Sequence, residues 1–253
     1  MKGCLWIGVM VFILLSALAI SADDLSDNKL LFEIQVNRLV HLGYPQALKM
    51  TEAEFRTAIN PLSEQLNNRL RKSDTSNIPF LIVFPRDFLN LGTQFDLLEA
   101  EKGKRGSQSF REDTRFITDD VEVADKPYLI FDVDTGIAST SSFESLEELK
   151  EFFAKNERRG LLIAEVIAMA THFPEVLHED NDKYSTNILY AIESTWWFRD
   201  DEKAIPVLLS TFGYPTLFYN IKEQIRCNRG LDCKLERVQI KFNTRTQTAS
   251  CQK

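Results

Sequence analysis

The run Lys126-Pro-Tyr-Leu-Ile-Phe-Asp-Val-Asp-Thr-Gly136 constrains the fold more than any other stretch. Tyr128 to Phe131 are bulky and apolar, and the run stops abruptly at two carboxylates and a glycine. A short apolar run bounded by turn residues predicts a buried strand. This one delivers Asp132 and Asp134 to one end of a sheet. Ile78-Pro-Phe-Leu-Ile-Val-Phe84, closed by Pro85, predicts a second buried strand.

Helices surround these runs. From Ser26, Leu31, Phe32, Ile34, Val36, Leu39, Val40 and Leu42 form a wide apolar face that ends at Gly43 and Pro45. Thr51-Glu-Ala-Glu54 is a capping box, and Phe55 and Ile59 belong to the helix it opens. Pro61 is expected to break that helix and restart it through Leu62, Leu66 and Leu70. Phe88, Leu91, Phe95 and Leu98 have helical spacing, and Ser145-Leu-Glu-Glu148 is a second capping box. Leu161 to Ala170 predicts a more apolar helix with Glu165 inside it, broken by Pro174. Later segments read as strands: Tyr184 to Thr195, Ile205 to Ser210, a turn at Tyr214-Pro215, and Thr216 to Ile221. Val238, Ile240 and Phe242 alternate with polar residues as in a half-buried strand. Helices first and strands in succession afterwards predict one α+β domain with a mixed or largely antiparallel sheet.

The first 21 residues have the layout of a secretory signal peptide. Lys2 precedes an apolar stretch from Leu5 to Ile20, and small residues follow, placing cleavage near Ala19 to Ala22. An uncleaved anchor is the rival, but the stretch falls short of a spanning helix. With cleavage, residues 22–253 form a secreted or periplasmic globular domain that keeps no membrane span. Cys4 is lost, and Cys227, Cys233 and Cys251 remain. Export permits a disulfide, and Cys227 with Cys233, flanking a turn-like loop that contains Gly230, is the first-ranked pair. Cys251 is the alternative partner of either. The formal charge of -7 argues against binding a nucleic-acid duplex, which requires a basic surface.

Four residues are candidates for a site: Asp132, Asp134, Glu165 and His172. Two carboxylates at a strand end suit a divalent cation. Phosphotransferases with Asp-x-Asp-x-Thr share the start of this pattern, but Thr135 comes one residue early. The ordinary reading is that Asp132 and Asp134 bond a turn that Gly136 permits. His172, Glu175 and His178 are metal-ligating types, but their spacing is three plus three with Pro174 between, so no metal or cofactor is assigned. His172 instead suits a helix end, where it meets carbonyls. Glu165 either titrates unusually in its apolar helix, faces solvent, or pairs with Arg158 or Arg159. There is no Gly-x-Ser-x-Gly and no glycine-rich phosphate loop. Trp196-Trp197-Phe198 is either core or, if exposed, a docking patch.

Tyr128-Leu-Ile-Phe-Asp-Val-Asp-Thr-Gly136 resembles a bacterial family catalogued as domain of unknown function 5701. Gly43-Tyr-Pro45, Ile78 to Phe84, Leu162 to Ala168, Thr171-His-Phe-Pro-Glu-Val-Leu177 and Ile205 to Leu209 followed by Pro215 fit the same family in the same order. The resemblance implies no activity and no catalytic residue. The family pattern carries a Trp- and Cys-bearing segment after the proline, where this chain reads Thr216-Leu-Phe-Tyr-Asn220. The chain is therefore expected to be an exported binding or interaction module for a protein or small-molecule ligand. The alternative is a hydrolase that uses Asp132 or Asp134 with Glu165 and His172.

Overall fold

A computed structural model describes residues 27–69, 78–100, 103–107, 109, 111–134, 145–177, 188–197, 202–221 and 250–252. The chain opens with α1 (27–42), the short turn α2 (Tyr44–Ala47) and α3 (Glu52–Arg69). The capping box at α3 forms as expected. Thr51 Oγ1 accepts from the Glu54 amide, and the Glu54 carboxylate accepts from the Thr51 amide and hydroxyl. Pro61 does not interrupt the helix, contrary to expectation. It forgoes one amide bond, and Phe55, Ile59, Leu62 and Leu66, buried along one side, hold the helix through it.

Strand β1 (Ile78–Val83) pairs antiparallel with β3 (Tyr128–Val133), Leu81 opposite Ile130 and Phe80 opposite Phe131. Helix α4 (Leu91–Leu97) lies between them in sequence, capped by the Asn90 side chain on the Thr93 amide. Alternate residues of β1 serve different cores. Leu81 and Val83 join α4, α6 and the larger sheet, whereas Phe80 and Ile82 join α1 and α3. At the far end this alternation breaks, and both Ile78 and Val133 pack with the first cluster. Asp132, just before Val133, has φ of 52°, and Pro79 faces it. A left-handed residue, which Asp tolerates better than most, re-aims the strand end there.

Among the described residues, the outer edge of β1 has no neighbouring strand. Gln35 of α1 substitutes for one, its Nε2 donating to Phe80 O (2.9 Å) and its Oε1 accepting from the Ile82 amide (2.9 Å). His172 Nε2 lies 3.0 Å from Ile82 O, and Gln94 Nε2 donates to Phe84 O. Buried backbone groups require such partners.

The larger sheet contains β2 (Ile117–Asp119), β5 (Ile188–Tyr190), β6 (Ser194–Trp197), β7 (Lys203–Thr211) and β8 (Tyr214–Ile221). Among the described residues, its strand pairs are antiparallel. Tyr214 and Pro215 lie in β8, and the turn falls two residues earlier, at Phe212 and Gly213. Both have positive φ (54° and 78°), the geometry that lets a two-residue loop match strand twist. Helix α5 (Leu146–Lys155) opens on Ser145, whose Oγ accepts from the Glu148 amide. Its residues Leu146 and Phe153 cover Ile205 on one sheet face. Helix α6 (Ile163–His172) packs on the other face, and every one of its ten residues is buried. Between α5 and α6 runs β4 (Arg158–Gly160), paired with the C-terminal β9 (Ser250–Gln252). The result is an α+β domain. Among the described residues, no helix is long and apolar enough to cross a membrane. Residues 1–26, the pair Cys227 and Cys233, and the stretch Val238 to Phe242 lie outside the described residues.

Candidate functional site

Helix α6 gathers the polar chemistry of the interior, at both of its ends. At its start, the N-cap Leu162 has no side-chain acceptor, so the cap is assembled from elsewhere. Glu165 Oε2 accepts from the Leu162 amide at 2.8 Å, and Ser194 Oγ accepts from the Ile163 amide at 3.0 Å. Glu165 is fully buried. Arg159, projecting from β4, meets it with two nitrogens, Nη1 to Oε2 at 2.8 Å and Nη2 to Oε1 at 2.5 Å. The Tyr128 hydroxyl donates to Oε1 at 3.0 Å. Four donors therefore reach one carboxylate, about the number its lone pairs accommodate. Burial, followed by the charge of Glu165, pushes the Tyr128 phenol far above its ordinary range, so it stays a donor.

Ser194 donates onward to Asp119 Oδ1 at 2.9 Å, and Arg86 Nη1 lies 3.9 Å from Asp119 Oδ2. Burial raises the Asp119 carboxyl, with Ser194 and Arg86 pulling it back and Glu165 adding to the rise. Beyond it, Lys150 bridges Asp120 and Glu193 (3.3 and 3.0 Å), and Thr195 donates to Asp120.

At the other end, His172 is the last residue of α6 and is buried. Because a carbonyl only accepts, the Ile82 contact fixes the proton on Nε2. The opposite ring atom, Nδ1, and the neighbouring Thr171 Oγ1 are buried without a hydrogen-bond partner. Arg38 of α1 donates from Nε to Thr171 O (3.0 Å) and from Nη2 to Glu99 O (3.3 Å). Burial lowers the His172 pKa to about 4; the bond to Ile82 opposes this and the Arg38 charge adds to it. Tyr44 is pushed up to about 12 by burial, with the Thr171 hydroxyl pulling it back, although Thr171 Oγ1 lies outside hydrogen-bonding geometry.

The four sequence candidates are thus not assembled into one site. Glu165 and His172 stand seven residues apart on one helix, about 10 Å along its axis. Asp132 belongs to a separate pair, its Oδ2 accepting from Arg158 Nη1 (2.7 Å) and its carbonyl from Arg158 Nη2 (2.6 Å). Arg158 and Arg159 are consecutive on a strand and so leave it on opposite sides. Asp134 follows β3, half-buried. Glu175 is exposed, and His178 lies outside the described residues. Among the described residues, no three His, Cys, Asp or Glu side chains are grouped to hold a metal ion. The tryptophans split by strand alternation. Trp196 is core, while Trp197 is half-buried, donates to Thr118 Oγ1 at 2.8 Å and has Lys203 Nζ 4.6 Å from its ring centroid.

A family model described as a family of unknown function (DUF5701) matches residues 38–187. That is more than half of the chain. The protein belongs to this family. The matched stretch contains Arg38, Asp119, Tyr128, Arg159, Glu165 and His172; Gln35 and Ser194 lie outside it. No curated protein and no solved structure matches the chain.

Sequence reasoning foresaw Arg159 as one partner of Glu165 but missed Tyr128, Ser194 and Gln35. Gln35 had a readable signal, a lone amide on the apolar face of α1 between Phe32, Val36 and Leu39. Ser194 had none, because only the sheet register brings it to Ile163 and Asp119.

Proposed function

We propose that this is an exported binding module, which acts by contact with a ligand or protein partner and not by turnover. The saturated carboxylate of Glu165 carries this reading. A general base must accept a proton from its substrate or water, and four protein donors already occupy this one. His172 is likewise committed through Nε2 inside the core. The hydrolase alternative would need Asp134, Glu165 and His172 around one bond, and the axial separation on α6 alone exceeds hydrogen-bond reach. The face best suited to contact is the outer side of β6 to β8. It presents half-buried Trp197, Lys203 and exposed Phe218 beyond the cover of α5. The test pairs a broad hydrolase panel with affinity capture from the exporting host. The reading expects no turnover, and capture that weakens in a Trp197→Ala, Phe218→Ser variant. Turnover that disappears in Glu165→Gln defeats it.

A further inference from the structure

We propose that His172 is an acid-sensitive latch that releases the N-terminal helix α1 from β1 and the end of α6. The seam between these elements combines the apolar packing of Phe32, Val36 and Leu39 against Phe80 and Ile82 with side chains bonded to backbone. Gln35 holds Phe80 and Ile82, His172 holds Ile82, and Arg38 holds Thr171. Among the described groups at this seam, His172 is the neutral base that acid would charge once water reaches it. Its Nε2 proton is committed to Ile82 O, so a second proton must sit on Nδ1. That atom is buried and has no acceptor. The other orphan, Thr171 Oγ1, lies outside bonding geometry.

The charges around the seam sharpen the effect. Arg38 from α1 is cationic and its charge acts on His172. Tyr44 from α2 is neutral in acid. His41 of α1 is exposed, the Glu99 carboxylate is taken by Arg105 at 3.3 Å, and β1 carries no titratable side chain. Glu175, in the turn after α6, is exposed, and Asp96 of α4 is paired with Arg111 at 3.2 Å, so no described carboxylate bonds Nδ1, and water must compensate an imidazolium at this place. Admitting water means moving α1 or α6. Helix α6 is enclosed along its whole length and tied at its start through Glu165, whereas α1 has an exposed outer side with Leu30 and Ile34 on it. Helix α1 is the element that leaves, uncovering the apolar side of β1.

Native-state hydrogen exchange of the purified protein between pH 7.5 and 4 tests this, after correction for intrinsic exchange. The expected result is that opening of residues 27–48 and of the Ile82 amide rises about 80-fold between pH 6.5 and 4, as a ring that titrates near 4 when closed and near 6.5 when open requires. Amides of β6 to β8 should stay protected. In His172→Gln, where the amide can still donate to Ile82 O but does not titrate, the rise should vanish. An unchanged rise in that variant overturns the proposal, and so does loss of protection in β6 to β8 in step with α1. Should the variant fail to fold, ring-nitrogen NMR of the wild type decides. The latch requires a neutral Nε2–H tautomer down to nearly pH 4, and a ring that titrates near 6.5 refutes it.

Discussion

The two ends of helix α6 are equally buried and chemically opposite. At the start, an ionised pair is enclosed by donors until the carboxylate has no free lone pair. At the end, two neutral polar atoms are enclosed with no partner at all. A charge drawn into a protein interior is tolerated only when its bonds are completed, since unpaired it costs several kcal/mol. A neutral hydroxyl or ring nitrogen left unpaired costs about 1–3 kcal/mol, which a well-packed helix can absorb. The saturated end therefore fixes the fold, and the unsaturated end is where the molecule retains a response to its surroundings. Lone polar residues in an apolar helix look alike in sequence, and the completeness of their bonding distinguishes them.

The comparison is most severely tested by removing half of the ion pair. Arg159→Leu leaves Glu165 charged and buried with only Tyr128 and a backbone amide to hold it. Urea denaturation should show a loss of about 3–5 kcal/mol. Adding Glu165→Leu to Arg159→Leu should recover much of that loss, because two apolar side chains leave no stranded charge, although Tyr128 then lacks an acceptor. If the single change costs under about 1 kcal/mol, the start of α6 is not the locked end.

Acid should act at the other end. The folded-state pKa of His172 lies near 4, below its ordinary 6.5, because burial favours the neutral ring. Protons thus bind the unfolded chain more readily than the folded one. The full stability is present above pH 6.5, declines as pH falls, and the decline levels off below about 4. At about 1.4 kcal/mol per pH unit, the interval amounts to about 3 kcal/mol. Denaturation midpoints measured from pH 7.5 to 3.5, wild type against His172→Gln, isolate this part from the carboxylates common to both.

Ser194→Ala is a smaller probe of the locked end. It removes the acceptor for the Ile163 amide and the donor to Asp119 together. The expected cost is about 1–2 kcal/mol, as for losing a helix cap. The Asp119 carboxyl should also titrate higher, because the hydroxyl that now pulls it down is gone. A carboxyl carbon-13 titration would show that displacement, and a pKa that falls or stays fixed would contradict the network.

Much of the fold was legible in the sequence, because it is written in local patterns. The two apolar runs became β1 and β3, the capping boxes at Thr51 and Ser145 opened helices, and the late strands formed an antiparallel sheet. Misplaced features had tertiary causes. Packing carried α3 through Pro61, and the β7–β8 register put the turn at Phe212 and Gly213. The site was less legible. Glu165, Asp132 and His172 are residue types that mark chemistry, yet their roles depend on Arg159, Arg158 and Ile82, each of which arrives from another element. The spacing of Asp132 and Asp134 gave no sign that Arg158 would brace a left-handed residue where the strand changes cores.

Thr171→Val is the smallest expected effect and the sharpest contrast with Ser194. The two hydroxyls are both buried, and the substitution removes a hydrogen-bonding group from each position at similar volume. At Ser194 two bonds disappear. At Thr171 none does, because Oγ1 has no partner, and the Arg38 bond runs to the backbone carbonyl, which valine retains. Replacing an unsatisfied buried hydroxyl with a methyl group removes a desolvation cost, so stability should be unchanged or higher by up to about 1 kcal/mol. Urea denaturation of both proteins reads this difference. A loss above about 1 kcal/mol would mean that Thr171 Oγ1 is bonded in solution, through a bound water for instance. The end of α6 would then be as complete as its start, and the contrast between them would fail.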